Sequence, residues 1–170
     1  MRVKEKWEAP RSWAEQLAVR NRPVVEVSWY EARAYCRWLS RQWRNEGEVR
    51  LPTNEEREQA ASPDKRKYPW GNEEPDPERA NFGEHVNHPT PVGIYPMGNG
   101  AFGHGDLAGN VWEWSADGGQ GLRGLRGGAW VEPPEFLAAG VSQRQRPGAR
   151  QRRRRLSRRP RPREPVTLGG

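Results

Sequence analysis

The sequence predicts an α+β domain with two helices, a few short strands and long ordered loops. Three observations predict it. Two segments each open with a hydroxyl residue followed three positions later by glutamate, the capping-box signature of a helix start. Two aromatic-rich segments near residue 120 are joined by glycines, as in a hairpin. Between these parts, Pro, Gly and Asn punctuate the chain every few residues.

Taken in order, residues 1–21 are polar, with a short helical hint at "SWAEQLAVR". Val24, Val25 and Val27 read as a short strand. Ser28 with Glu31 forms the first capping box, and Ala32, Tyr35, Cys36, Leu39 and Trp43 recur at helical spacing, which predicts a helix over 29–44. In "RLPTNEEREQAAS", Pro52 blocks an earlier start, Thr53 caps and Glu56 completes the second box, so a short helix is expected at 54–61. From Pro63 to Gly105 the chain reads as loop, with one further strand expected at "PVGIY". "NVWEWS" and "GLRGGAW" read as two strands across a glycine-rich turn. Loops this long need something other than a sheet ladder to hold them, and buried tryptophans or a metal ion could do so.

Composition narrows the function classes. Hydrophobic residues make up 33% of the 170-residue chain, low for a globular core, but nine tryptophans compensate because each buries a large area. All nine lie between Trp7 and Trp130, and Phe136 is the one aromatic of residues 131–170. Residues 141–170 carry eleven arginines and one acid, a local net of +10 against +7 for the whole chain, which leaves −3 for residues 1–140. The basic character therefore belongs to the tail. "RRRRLSRR" could contact nucleic acid nonspecifically by charge, yet it lacks aromatics for stacking on bases. A single cysteine, Cys36, excludes an internal disulfide and any multi-cysteine zinc site. No apolar run approaches membrane-spanning length and the N-terminus lacks a signal-peptide core, so a soluble cytoplasmic protein without a membrane partner is expected.

The motifs "RPVVEVSWYEARAYCRWLS", "RLPTNEEREQAA", "YPWG", "RANF", "TPVGIYPMG", "GDLAGNVWEW" and "LRGGAW" occur in the order found in the formylglycine-generating enzyme, or sulfatase-modifying factor, family. The resemblance covers about residues 22–130. It implies a C-type-lectin-like α+β fold with small twisted antiparallel sheets, with residues 1–21 a partial N-terminal segment and 131–170 a divergent Arg/Pro-rich tail, which its lack of apolar periodicity marks as disordered. The family's N-terminal strand and first helix are not recognisable, and its closing strand is replaced by "RQRRRRLSRR", which leads to the expectation of a truncated or frame-shifted member. Arg57 stands where relatives of the "LPTEAEWE" type carry a core tryptophan.

The resemblance also implies sites. In the family's oxidase, two cysteines after the "RGGS" motif bind copper and activate oxygen to convert a protein cysteine to formylglycine. The matching positions here are Glu132 and Leu137, neither of which is a soft ligand, so copper is not expected. A family calcium site lies at "GDLAGNVWEW", where the candidates are the Asp106 and Glu113 side chains with the Gly109 and Val111 carbonyls. The alternative is that Glu113 accepts backbone N–H groups in a buried turn. A second family calcium site maps onto Asn81 and the Phe82 carbonyl. Trp112 and Trp114 fall on the face opposite Glu113 and are expected as core walls, with carbohydrate stacking as the lesser option. Glu84, His85, His88 and His104 match no ligand spacing and are expected as exposed loop residues. Cys36 is expected as a small core residue. These readings support three functions: a non-catalytic, calcium-stabilised module that binds a ligand or acts as a scaffold, a formylglycine-generating oxidase, or a nucleic-acid contact through the basic tail, residues 141–170.

Overall fold

The computed structural model describes residues 9–43 and 47–150. The chain runs through α1 (Trp13–Leu17), α2 (Trp29–Gln42), α3 (Asn54–Ala61), β1 (Glu113–Trp114), β2 (Arg123–Arg126) and β3 (Ser142–Gln145), with single 3-10 turns at Pro96–Gly98 and Pro134–Leu137. The architecture is α+β, as expected. Both capping boxes form. Ser28 N–H donates to Glu31 Oε2 at 2.7 Å while Glu31 N–H donates back to Ser28 Oγ at 3.3 Å. Thr53 and Glu56 repeat the exchange at 2.9 and 3.1 Å. Each box satisfies two of the donors that a helix start leaves open. As a result α3 spans the residues expected, and α2 ends two short of the expected 44.

The strands are shorter than the sequence suggests. β1 and β2 pair antiparallel through Glu113 with Arg126 and Trp114 with Leu125. β2 ends because Gly127 and Gly128 both take positive φ, and a Cβ at Gly128 would stand 2.9 Å from the Phe136 carbonyl oxygen. No strand forms at Val24–Val27. Glu26 has φ 57° there, and the backbone of Val25 bonds to the Gln16 side chain in place of a ladder. "PVGIY" is likewise a turn: Val92 N–H donates to Asn21 O, Gly93 N–H to Asp106 Oδ2, and Val92 and Ile94 are exposed.

The largest difference lies beyond residue 130. β3 pairs antiparallel with β2 over four residues, which completes a sheet in the order β1-β2-β3. Trp29 N–H donates to Pro147 O at 3.0 Å, and Arg150 pairs with Glu31 at 2.6 Å. Residues 131–150 are thus part of the fold, contrary to a boundary drawn where the aromatics stop. A strand is recruited through its backbone, and the polar side chains of "SQRQ" carry no apolar signal. Residues 151–170, on which the rest of the expected disordered tail falls, lie outside the described residues.

Three small apolar clusters hold the loops. Tyr68, Ala80, Phe82, Ala108 and Leu137 form one, with Trp70 stacked on Tyr68 at 5.2 Å. Trp29, Trp114 and Leu125 form the second under the sheet, and Ala61, Leu107 and Ala139 the third. Trp29 is further held by an N–H bond to Ser115 O and by the Arg123 guanidinium, 4.4 Å above its ring. Helix α2 docks by this end: Trp29 is buried and Ala32 packs beside it, while Tyr35 and Trp43 are 59% and 50% exposed despite their helical spacing.

Candidate functional site

The segment Gly105–Trp114 crosses the middle of the fold, held largely by backbone bonds. Gly109, at φ 76°, donates to Gly127 O, and a Cβ there would lie 2.5 Å from Asn81 O, so only glycine allows this approach. Asn110, also left-handed, is the knot. Its N–H donates to Asn81 O, its carbonyl accepts from Trp130 N–H, its Oδ1 accepts Thr90 N–H at 2.8 Å, and its Nδ2 donates to Thr90 O. Buried polar groups of this kind cost little only when fully paired. The sequence singled out neither Asn110 nor Thr90; an Asn after Gly in an apolar stretch was the available signal.

The expected calcium ligands sort differently. Strand alternation sends Trp112 and Trp114 to one face and Glu113 to the other, as the sequence implied. Glu113 Oε2 there accepts from Arg57 Nε at 2.9 Å and Nη2 at 2.8 Å, and Nη2 also donates to Leu107 O at 3.0 Å. The Arg57 side chain is 7% exposed and that of Glu113 43%. A fixed guanidinium on Oε2 already neutralises the carboxylate, and a divalent ion bound to it would stand against that positive charge. The donor set at Glu113 does not fit calcium. Asp106 Oδ2 accepts from Gly93 N–H, and Val111 lines a cleft on the other side. Arg57, which the sequence marked only as a missing tryptophan, is the residue that decides this site.

At the second position, the Asn81 side chain is 1% exposed. Its orientation is fixed in turn by Asn110: Thr90 N–H makes Asn110 Oδ1 an acceptor, so Asn81 Nδ2 is the donor to it. Asn81 Oδ1 then receives no donor among the described residues. The Phe82 carbonyl accepts from His85 N–H. No group of three or more His, Cys, Asp or Glu able to hold a metal occurs among the described residues. Glu84, His85, His88 and His104 are all exposed, as expected.

On the opposite side of Trp112 lies a cleft of about 610 Å³. Trp112, Trp114, Trp130 and Phe136 supply aromatic wall, with Trp112 and Phe136 meeting edge to face at 6.3 Å. Trp112 Nε1–H donates to Glu132 Oε1 at 3.2 Å, which anchors a carboxylate inside an aromatic pocket. Trp114 is buried with its Nε1–H on Val27 O, so it is core wall as expected, and like Trp112 it also lines the cleft. Glu132 is therefore a cleft residue and Leu137 a core residue 1% exposed against Tyr68 and Phe82. Neither is a soft thiolate of the kind copper(I) prefers. Cys36 sits on α2, half-buried, with burial pushing its thiol pKa up. Among the described residues no helix is long and apolar enough to cross a membrane.

Comparison with known proteins fits this geometry. A model of the sulfatase-modifying factor enzyme 1-like domain matches residues 3–154. Hercynine oxygenase of Mycobacterium tuberculosis is 36% identical over 142 residues, covering 69% of this chain and 32% of that protein. A mouse protein named inactive C-alpha-formylglycine-generating enzyme 2 is 40% identical over 134 residues, covering 68% of this chain and 40% of its own length. The chain thus spans well under half the length of these relatives. The structure of PvdO from Pseudomonas aeruginosa superposes with a TM-score of 0.65 at 29% identity, covering 76% of this chain and 58% of that one.

Proposed function

The chain belongs to the sulfatase-modifying factor enzyme 1-like family, and on that premise we propose that it is a non-catalytic member, a binding or scaffold module whose ligand site is the Trp112–Glu132 cleft. The observation that carries this reading is the chemistry at two positions. Where the resemblance implies copper-binding thiolates, this chain has a cleft carboxylate, Glu132, and a core leucine, Leu137. The cleft itself survives that loss and has the volume and aromatic lining of a small-molecule or side-chain pocket. The inactive mouse relative supports the same direction. The test is direct. Purified protein given copper, oxygen and a sulfatase-motif peptide should leave the peptide cysteine unchanged, and conversion of that cysteine to an aldehyde above a copper-only control overturns the reading.

A calcium-stabilised form of this module has one supporting observation, the buried and donor-free Asn81 Oδ1. This uncharged amide oxygen is the part of the expected ligand set left open, and such hard oxygens suit calcium. Calcium should then raise the melting temperature of the wild type and not of Asn81→Ala. A wild type that melts alike in calcium and in chelator rejects calcium for this chain.

A further inference from the structure

We infer that the cleft is selective for organic cations and seats an alkylammonium head between Glu132, Gln145 and the aromatic wall. This rests on the reading of the cleft as the ligand site and adds the class of ligand. Three features of the lining point the same way. First, it presents carboxylates that meet no counterion among the described residues. Among the described residues the Glu132 side chain accepts only the neutral indole N–H of Trp112, and Glu26, which also lines the cleft, has no ion pair. A half-buried carboxylate held by a single neutral donor keeps most of its charge available to a cation. Second, Gln145 Oε1 is buried at the cleft and meets no donor among the described residues. An acceptor without a donor is a vacancy for an N–H of a ligand. Third, the faces of aromatic rings attract cations, and the attraction grows as water is excluded.

The two arginines that touch the cleft do not cancel this. Arg150 is engaged by Glu31 at 2.6 Å. Arg144 pairs in register with Gly124, whereas Gln143 pairs with Leu125, and side chains alternate along a strand. Gln143 and Gln145 therefore share the face of Leu125 and Trp114, and Arg144 projects to the other face of the sheet; Arg123, opposite Gln145 on the Trp114 face, has its guanidinium drawn over the Trp29 ring and does not line the cleft. Glu26 holds a left-handed backbone, φ 57°, where a glycine would be easier, so its placement at the cleft is imposed by the surrounding packing.

The experiment uses the full chain and follows the Trp112 indole N–H by NMR while n-butylammonium, n-butanol or butyrate is added. The expected result is a saturable shift with butylammonium alone, weakened about tenfold or more in both Glu132→Gln and Glu26→Gln, as removal of a charged partner implies. Using two variants keeps the test valid if one of them misfolds. Nα-acetyl-lysine amide distinguishes the sources: tighter binding than butylammonium assigns the head to a polypeptide lysine, and equal binding to a free amine. Saturable binding of butanol or butyrate equal to that of butylammonium overturns cation selectivity and leaves the cleft as a ligand site. No saturable shift with any of these probes overturns the cation assignment together with the cleft reading on which it rests.

Discussion

Replacing Glu113 by glutamine keeps the shape of the side chain and removes its charge, which isolates what the Arg57 pair contributes. Arg57 is 7% exposed and cannot recover water, whereas Glu113 is 43% exposed. Breaking a fully buried pair costs about 3–5 kcal/mol, and a fully exposed pair contributes about 0–1 kcal/mol. With one partner inside and the other half outside, the loss should be about 2 kcal/mol, or roughly 4–8 °C in melting temperature for a chain of this size. The assay is urea unfolding followed by tryptophan fluorescence, run in chelator and again in calcium, on wild type, Glu113→Gln, Arg57→Met and the double variant. Glu113→Gln should cost the same with and without calcium, and the double-variant cycle should return a coupling of about 1–2 kcal/mol. A calcium-dependent gain in the wild type that Glu113→Gln abolishes would refute the argument, because it would make Glu113 a metal ligand and Arg57 a bystander.

Leu137→Ala should destabilise by about 2–5 kcal/mol, because the side chain is 1% exposed among Tyr68, Ala80 and Phe82; the urea midpoint reports it. The Glu56 carboxyl is held at about 2, against an ordinary 4.5, first by hydrogen bonds from Arg50 and then by the Thr53 N–H. A depressed folded pKa gives stability that is present above 4.5 and is lost as pH falls toward 2, so acid unfolding over that window should be shallower in Glu56→Gln. Truncation after Arg150 should remove any salt-sensitive oligonucleotide binding; binding that persists in the truncated chain places nucleic-acid contact elsewhere.

Both main helices and their starts were legible in the sequence, because a capping box is local chemistry: Ser28 with Glu31, and Thr53 with Glu56, close within one turn whatever surrounds them. The alternation of Trp112, Glu113 and Trp114 was legible for the same reason, since an extended backbone alone sets opposite faces. The ordered motifs carried the family and the lectin-like α+β fold, and the absence of thiolates at Glu132 and Leu137 could be read directly. What only the tertiary structure decided is who meets whom at long range. β3 is a strand because β2 offers it a backbone edge, not because "SQRQ" prefers one. The partner of Glu113 is 56 residues away on α3, so a segment where the resemblance implied a metal ion is held at that carboxylate by an arginine. The Glu132 carboxylate lines a cleft and takes the Trp112 N–H from 20 residues away. Helix caps and strand alternation are energies of neighbours in sequence; the charge balance of a buried carboxylate is set by whatever folding brings within a few ångströms, and that is a property of the packed chain.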